Sequence, residues 1–110
     1  MDFIVCQKER YGDRNVSISM PDIKNTGNTP IIVDDIISTG ESLLATLHQV
    51  LSRGFKNPIC IGVHALFDKN VENNLLLAGA KKIITCNTIT HPTNQIDITE
   101  MIAKNIIDLC

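Results

Sequence analysis

The sequence has 110 residues, of which 44% are hydrophobic, so it can build the core of one small domain without disulfide or metal staples. Ten Lys and Arg residues against twelve Asp and Glu residues give a net charge of −2, which excludes the strongly basic surface of a general nucleic-acid-binding protein. No apolar run approaches the ~18 residues of a membrane span, and the N-terminus lacks a signal-peptide pattern, so we expect a cytoplasmic protein without a membrane partner.

The first third of the chain contains two strand patterns separated by a polar segment. Residues 3–6 form a short apolar run rich in β-forming residues, which predicts a buried strand. Residues 7–14 are polar and predict an exposed loop. Residues 16–20 alternate apolar and serine side chains, which is typical of a half-exposed strand. Residues 21–30 have a proline at each end and predict a linker between elements.

The rest of the chain alternates apolar strands with amphipathic helices. Residues 31–33, 59–63 and 82–86 are apolar runs typical of strands in a covered parallel sheet. Apolar positions spaced along one helical face predict helices from Leu43 to Gly54, over residues 71–77 and over residues 98–109. The predicted fold is therefore α/β: an open, mostly parallel sheet of about four strands with flanking helices, plus a β-flap strand over residues 16–20.

The four cysteines lie far apart, without a CxxC pair and without metal-ligand spacing to a histidine. This spacing argues against a disulfide framework and against a zinc site. Most of them lie in or beside apolar runs, so we expect free, buried thiols and no metal bound by cysteines.

Residues 31–42 are the most informative segment for function. Asp34 and Asp35 end the strand, and a loop with Gly40 at its centre leads directly into the next helix. Ligands of open parallel sheets lie beyond the carboxyl ends of the strands, and the N–H groups of such a loop and helix N-terminus bind anions. Three hydroxyls supply further donors, those of Ser38, Thr39 and Ser42.

Asp34 and Asp35 must have a different role from the loop, because two carboxylates repel a phosphate. They are suited to accept hydrogen bonds from sugar hydroxyls or to reach a hydrated Mg²⁺ ion. The segment therefore predicts a site for a phosphorylated ribose. The alternative is that the two aspartates only end a strand and that the loop is an ordinary turn capping the next helix.

Residues 33–40 resemble the signature loop of the type I phosphoribosyltransferase fold, which holds the ribose 5-phosphate of phosphoribosyl pyrophosphate (PRPP). Three further segments, residues 8–10, 63–67 and 85–89, narrow the resemblance to the carboxyl-terminal part of the ribose-phosphate pyrophosphokinase (PRPP synthetase) family. The resemblance extends in order over nearly all of the chain. It implies one truncated phosphoribosyltransferase-like domain over residues 1–110.

The resemblance also implies roles for individual residues. Asp34 and Asp35 would contact the 2- and 3-hydroxyls of ribose 5-phosphate. Lys8 and Arg10 would be catalytic, because they would stabilise the charge that builds on the ATP phosphates during diphosphoryl transfer, with Mg²⁺ as cofactor. From residue chemistry alone, a solvated polar loop is the simpler interpretation of Lys8 and Arg10. The phosphate of the sugar would be wrapped by Ser38, Thr39, Gly40, Glu41 and Ser42.

The chain departs from the family pattern in two respects. The family usually has Gly-Gly-Thr or Ala-Gly-Thr where this chain has Gly40-Glu41-Ser42, so a carboxylate lies beside the proposed anion site. The chain also resembles only the later part of the second domain, without the ATP-binding half and without the first strand of the core. We therefore expect a bare sheet edge, and because bare edges pair with other chains, a homo-oligomer.

Three functions stay open. The first is an enzyme or enzyme fragment of PRPP synthesis that binds ribose 5-phosphate or PRPP, with ATP as co-substrate. The second is a non-catalytic module that binds a ribose phosphate or associates with a full-length synthetase and regulates it. The third is a nucleobase phosphoribosyltransferase, which would need a further segment to hold the base. The resemblance favours the synthetase lineage, and the missing ATP-binding half favours impaired catalysis.

Overall fold

The structure is a computed structural model that describes residues 3–10, 16–24 and 27–109. Four strands form a parallel sheet in the order β3-β4-β5-β6, whereas β1 and β2 pair antiparallel as a separate hairpin. This confirms the predicted α/β fold with a four-stranded parallel sheet, flanking helices and a separate flap. The elements are β1 (Gln7–Arg10), β2 (Val16–Ser19), β3 (Ile31–Ile37), α1 (Glu41–Ser52), β4 (Ile59–Ala65), α2 (Lys69–Leu77), β5 (Lys82–Cys86), β6 (Asn94–Ile96) and α3 (Thr99–Leu109).

Helices α1 and α2 cover one face of the sheet and enclose the core. The connections from β3 to β4 and from β4 to β5 step in the same direction along the sheet, so right-handed crossovers bring both helices to one face. Each fully buried aliphatic side chain stabilises this layer by about 1.5–3 kcal/mol. The core between the sheet and these helices includes Ile32, Ile37, Leu43, Leu47, Cys60, Leu75 and Ile83.

The β1–β2 hairpin docks on α1 and does not join the parallel sheet. Met20, directly after β2, is buried in the core. The side-chain amide of Gln49 donates to the carbonyl of Ile18 at 3.0 Å, and the Arg53 guanidinium donates to the carbonyl of Met20 at 2.8 Å. These bonds hold the hairpin in the position that brings Lys8 to the cavity described below.

The N-terminal strand was predicted at the wrong place. Residues 3–6 belong to no strand, and Phe3 and Val5 are 84% and 71% exposed, so the predicted buried strand is wrong. The strand is Gln7–Arg10, within the segment predicted as a loop, because pairing with β2 satisfies its backbone groups despite its polar side chains. Residues 11–14 of that predicted loop lie outside the described residues.

The sequence pattern does not predict the fourth parallel strand, β6. Its three residues include no buried side chain, so they show neither an apolar run nor an alternating pattern. The strand pairs with β5 and is secured by a 2.8 Å hydrogen bond between the hydroxyls of Thr85 and Thr93. Pairing with β5, rather than local propensity, therefore determines this strand.

The predicted helices and thiols agree with the structure. All three helices begin within two residues of their predicted starts. Cys60 and Cys86 are buried free thiols and Cys6 is partly buried, whereas Cys110 lies outside the described residues. In the part of the chain that the structure describes, every helix is too short or too polar to cross a membrane.

Candidate functional site

Two neighbouring carboxylates lie near the carboxyl end of β3. The sequence predicts that Asp34 and Asp35 end the strand, but β3 continues through both of them to Ile37. The N–H of Asp35 donates to Asp34 Oδ1 at 2.9 Å, and the N–H of Ile36 donates to Asp35 Oδ1 at 2.8 Å. Each carboxylate therefore binds the next backbone N–H, which restrains both side chains beside the strand.

The two carboxyl groups have opposite pKa shifts. Burial raises the pKa of Asp34, and its hydrogen bond with the Asp35 carboxyl raises it further. That same hydrogen bond lowers the pKa of Asp35, which is exposed. The nearby Lys8 ammonium lowers the pKa of both groups. The pair therefore takes up its first proton on Asp34, while negative charge stays on Asp35 at the solvent side.

Gly40 forms the turn between β3 and α1. Its φ of 79° lies in the left-handed region, and an added Cβ would lie 2.7 Å from Val71 Cγ1 in α2. Both conditions favour glycine, which lacks a Cβ. The carbonyl of Gly40 accepts the first helical hydrogen bond, from the N–H of Leu44 at 2.8 Å. Packing against α2 therefore fixes the position from which α1 begins.

The N-terminus of α1 supplies groups that can bind an anion. Gly40 occupies the N-cap position and has no side chain to accept a hydrogen bond from the first turn. The N–H groups of residues 41–43 have no partner within the helix, as in any first helical turn, and these residues line the cavity. Together with the positive end of the helix dipole, they favour a negatively charged group at this point.

One cavity of about 230 Å³ brings nearly all of the predicted site residues together. It combines carboxylate acceptors on β3 with hydroxyl and N–H donors on the loop and on α1. Of the two predicted catalytic residues, Lys8 lines the cavity, whereas the side chain of Arg10 lies outside what the structure describes. The predicted residues that line it are Lys8, Asp34, Asp35, Ser38, Thr39, Gly40, Glu41 and Ser42.

The carboxylates are suited to a limited role in binding Mg²⁺. Among the described residues, no group of three or more His, Cys, Asp or Glu side chains could hold a metal ion. Mg²⁺ is commonly bound through one or two carboxylates, with water and substrate phosphates completing its octahedron. Asp34 and Asp35 fit that arrangement, in which the ion depends on the ligand for part of its coordination.

Two histidines near the carboxyl end of the sheet are held by hydrogen bonds. His64 Nδ1 lies 2.8 Å from the hydroxyl of Thr88, which donates to the carbonyl of Val63 at 3.1 Å. These two bonds hold the His64 side chain against the loop that follows β5. His91 Nε2 donates to the carbonyl of Phe67 at 2.9 Å. A tertiary contact of this kind leaves no signal in the local sequence.

The fold and the cavity together define a class of protein. Residues 4–100 match the phosphoribosyl transferase domain family, and the chain belongs to that family. The parallel α/β sheet, with a glycine turn and a helix N-terminus behind its edge strand, agrees with the type I phosphoribosyltransferase fold that the resemblance implied.

Curated relatives define the lineage more narrowly. The chain is 38% identical to the ribose-phosphate pyrophosphokinase of Sulfolobus acidocaldarius and 34% identical to that of Sulfurisphaera tokodaii, in each case over 96% of this chain and 38% of the relative. It is also 34% identical to ribose-phosphate pyrophosphokinase 2 of Archaeoglobus fulgidus, over 91% of this chain and 37% of the relative. The predicted resemblance is confirmed, and the chain spans less than two fifths of the length of these relatives.

Proposed function

We propose that the cavity binds ribose 5-phosphate and that the chain is the ribose-phosphate-binding part of a ribose-phosphate pyrophosphokinase. In the complete enzyme, diphosphate would pass from ATP to the 1-hydroxyl of the sugar. The observation that carries this proposal is the presence of both kinds of binding group in one cavity. The carboxylates of Asp34 and Asp35 would accept bonds from ribose hydroxyls, and the N–H groups of residues 41–43 would bind the phosphate.

The size of the cavity supports a small ligand. Its volume of about 230 Å³ is below the ~300–1,000 Å³ of sites for drug-sized molecules, so it suits a sugar phosphate better than a nucleoside triphosphate. We therefore propose that ribose 5-phosphate or PRPP binds in this cavity. We also propose that residues 1–110 form a single, incomplete domain and that the groups that bind ATP lie on other polypeptide.

Lys8 is proposed to stabilise negative charge during transfer. Its ammonium lies near both carboxylates and at the cavity wall. Catalysis of phosphoryl transfer is mainly positioning and electrostatic stabilisation, so a cation at this point would lower the energy of the charged transition state. Arg10 of the same strand is proposed to assist. A Mg²⁺ ion held through Asp34 or Asp35 would neutralise charge on the phosphates when bound.

A non-catalytic module is the second candidate, because the cavity of about 230 Å³ offers groups for a sugar phosphate and is small for a nucleoside triphosphate. Such a module would bind ribose 5-phosphate or PRPP without turnover, or would associate with a full-length synthetase and regulate it. A nucleobase phosphoribosyltransferase is less well supported, because the curated relatives that match nearly all of the chain are ribose-phosphate pyrophosphokinases. Both of the first two roles belong to nucleotide biosynthesis, so we propose a cytoplasmic protein that associates with other copies or with a synthetase.

Calorimetry with ribose 5-phosphate, PRPP and ATP in the presence of Mg²⁺ tests the binding proposal. We expect ribose 5-phosphate to bind and Asp35→Asn to weaken it roughly tenfold to hundredfold, because hydrogen bonds to a charged acceptor are worth about 1.5–3 kcal/mol. Asp22→Asn is the matched control, since this exposed aspartate lies 3.7 Å from Arg53 and outside the cavity. Equal binding by the parent and Asp35→Asn would contradict the site assignment.

Turnover separates the two candidate functions. With ATP, ribose 5-phosphate and Mg²⁺, formation of AMP would support an active enzyme. Binding of ribose 5-phosphate without AMP formation would support the module. Absence of binding by both sugar phosphates would contradict both.

A further inference from the structure

Lys8 lies on the β1–β2 hairpin, so its place at the cavity depends on how that hairpin is held. Lys8 pairs with Ile18 of β2 in an antiparallel ladder, and side chains directly opposite each other in such a ladder lie on the same face. Ile18 is buried, whereas Lys8 is exposed and lines the cavity. The face of the hairpin that packs on the protein is therefore the face that carries Lys8.

Two side chains at the carboxyl-terminal end of α1 bind the backbone of β2 and of the residues after it. The Gln49 side-chain amide donates to the carbonyl of Ile18 at 3.0 Å. The Arg53 guanidinium donates to the carbonyl of Met20 at 2.8 Å and to that of Pro21 at 2.5 Å, and hydrogen bonds from a charged donor are roughly twice as strong as neutral ones. We call these three hydrogen bonds the α1 latch.

The same helix begins with the groups proposed to bind phosphate. The N–H groups of residues 41–43 belong to its first turn, and Gln49 and Arg53 lie about 10–16 Å further along the helix axis. Gln49 binds the residue that pairs directly with Lys8. The α1 latch therefore holds Lys8 in place relative to the phosphate site itself, and not only relative to the sheet.

Lys8 lies at the part of the cavity where the sugar hydroxyls are proposed to bind. Its ammonium is near Asp34 and Asp35, which are proposed to accept bonds from those hydroxyls, whereas the 5-phosphate is proposed to bind at residues 41–43. Ribose 5-phosphate is uncharged at its hydroxyl end, whereas PRPP carries a diphosphate there. A correctly held Lys8 should therefore favour PRPP over ribose 5-phosphate.

We propose that Gln49 and Arg53 are positioning residues that hold Lys8 at the cavity through the α1 latch and so set its preference for PRPP over ribose 5-phosphate. Neither side chain lines the cavity, so both act through Lys8. The ligands in this inference rest on the proposed function, whereas the latch itself does not.

Alkylation of Cys6 by iodoacetamide tests the latch without a ligand. Cys6 lies directly before β1 and packs, partly buried, against the core, so release of the hairpin should expose its thiol. Peptide mass spectrometry should find Cys6 modified roughly threefold to tenfold faster in Gln49→Leu and Arg53→Met than in the parent, because each variant loses part of the latch. Cys60 and Cys86, which are buried in the sheet, should stay protected if the fold is intact.

Charge and position have matched controls. Burial raises the pKa of the Cys6 thiol and the nearby Arg53 guanidinium lowers it, so loss of the Arg53 charge alone would slow alkylation, because the thiolate is the reactive form. His48→Leu and Lys56→Met change exposed residues beside the latch. Both control variants should react at the rate of the parent.

Calorimetry with the two sugar phosphates tests the link to Lys8. Lys8→Met should weaken PRPP binding roughly tenfold, because an interaction between charged groups is lost, and should leave ribose 5-phosphate binding nearly unchanged. Gln49→Leu should cause the same selective loss. The double variant with both changes should bind PRPP no more weakly than Lys8→Met alone, because Gln49 acts through Lys8.

Three results would overturn the proposal. They are alkylation of Cys6 at the parent rate in both latch variants, equal weakening of the two ligands by Gln49→Leu, and additive losses in the double variant. Equal weakening is what a general loss of structure would cause. Absence of binding by both sugar phosphates would overturn the proposed function and the preference for PRPP, while faster alkylation of Cys6 in the latch variants would still support the latch.

Discussion

Replacing Gly40 with alanine tests whether the proposed phosphate loop depends on both its backbone conformation and its contact with α2. The φ of Gly40 is 79°, and an added Cβ would lie 2.7 Å from Val71 Cγ1. The left-handed backbone costs an alanine about 1–2 kcal/mol, and so short a contact adds an overpacking cost of about 1–3 kcal/mol. Gly40→Ala should therefore lower the free energy of unfolding by roughly 2–5 kcal/mol.

Gly27→Ala is the matched control for backbone strain alone. Gly27 has a φ of 83°, and no described atom lies within 4 Å of an added Cβ, so this variant should lose only about 1–2 kcal/mol. Urea unfolding followed by circular dichroism measures both losses. Val71→Ala removes the contacting methyl groups, so in that background Gly40→Ala should cost less. Equal losses in the two glycine variants, or no relief from Val71→Ala, would refute the reasoning.

Burial raises the pKa of Asp34 in the folded protein, so the fold is less stable when this carboxyl is ionised, at pH values above that pKa. Asn cannot ionise, so Asp34→Asn should raise the Tm at neutral pH. Thermal unfolding across pH should show the gap to the parent closing in acid, and a constant gap would contradict this. Glu41→Gln removes a carboxylate beside the proposed phosphate site and should tighten ribose 5-phosphate binding roughly fivefold. The same change removes a negative charge from the first turn of α1 and should cost the helix about 0.3–1 kcal/mol. Unchanged affinity in calorimetry would indicate that the Glu41 side chain points away from the site. His91→Ala breaks the bond to the carbonyl of Phe67 and should destabilise the fold by about 1–3 kcal/mol, whereas His48→Ala, at an exposed position of α1, should change stability by less than about 0.5 kcal/mol. Similar urea midpoints for the two histidine variants would show that the His91 contact is unimportant.

The central strands and helices were predictable because their periodicities differ. Strands covered by helices appear as continuous apolar runs in the sequence. Helix α1 instead has apolar residues spaced along one helical face, and in the structure Leu43, Leu47 and Val50 of that face are buried. Strand β1 was not predictable in this way. Its polar residues, Gln7–Arg10, form a strand only because β2 pairs with them, and the apolar residues before it have no such partner.

The candidate site was predictable where its residues are consecutive in sequence. The carboxylates, the glycine turn and the helix start follow one another along the chain, so strand-to-helix order alone brings them to one cavity. The position of Lys8 could be inferred only from the family resemblance, because it depends on how the hairpin docks on α1. The contact between Gly40 and Val71 could not be predicted, since it depends on the packing of α2.

Backbone amide shifts in a titration with ribose 5-phosphate test the central claim most directly. Phosphate bound in the cavity would shift the N–H resonances of residues 39–43, because these residues line the cavity around the start of α1. We expect these shifts with ribose 5-phosphate, smaller ones with inorganic phosphate, and none in this segment with ribose alone at the same concentration. Shifts confined to other parts of the chain, or equal shifts with ribose, would contradict a ribose-phosphate site at this loop.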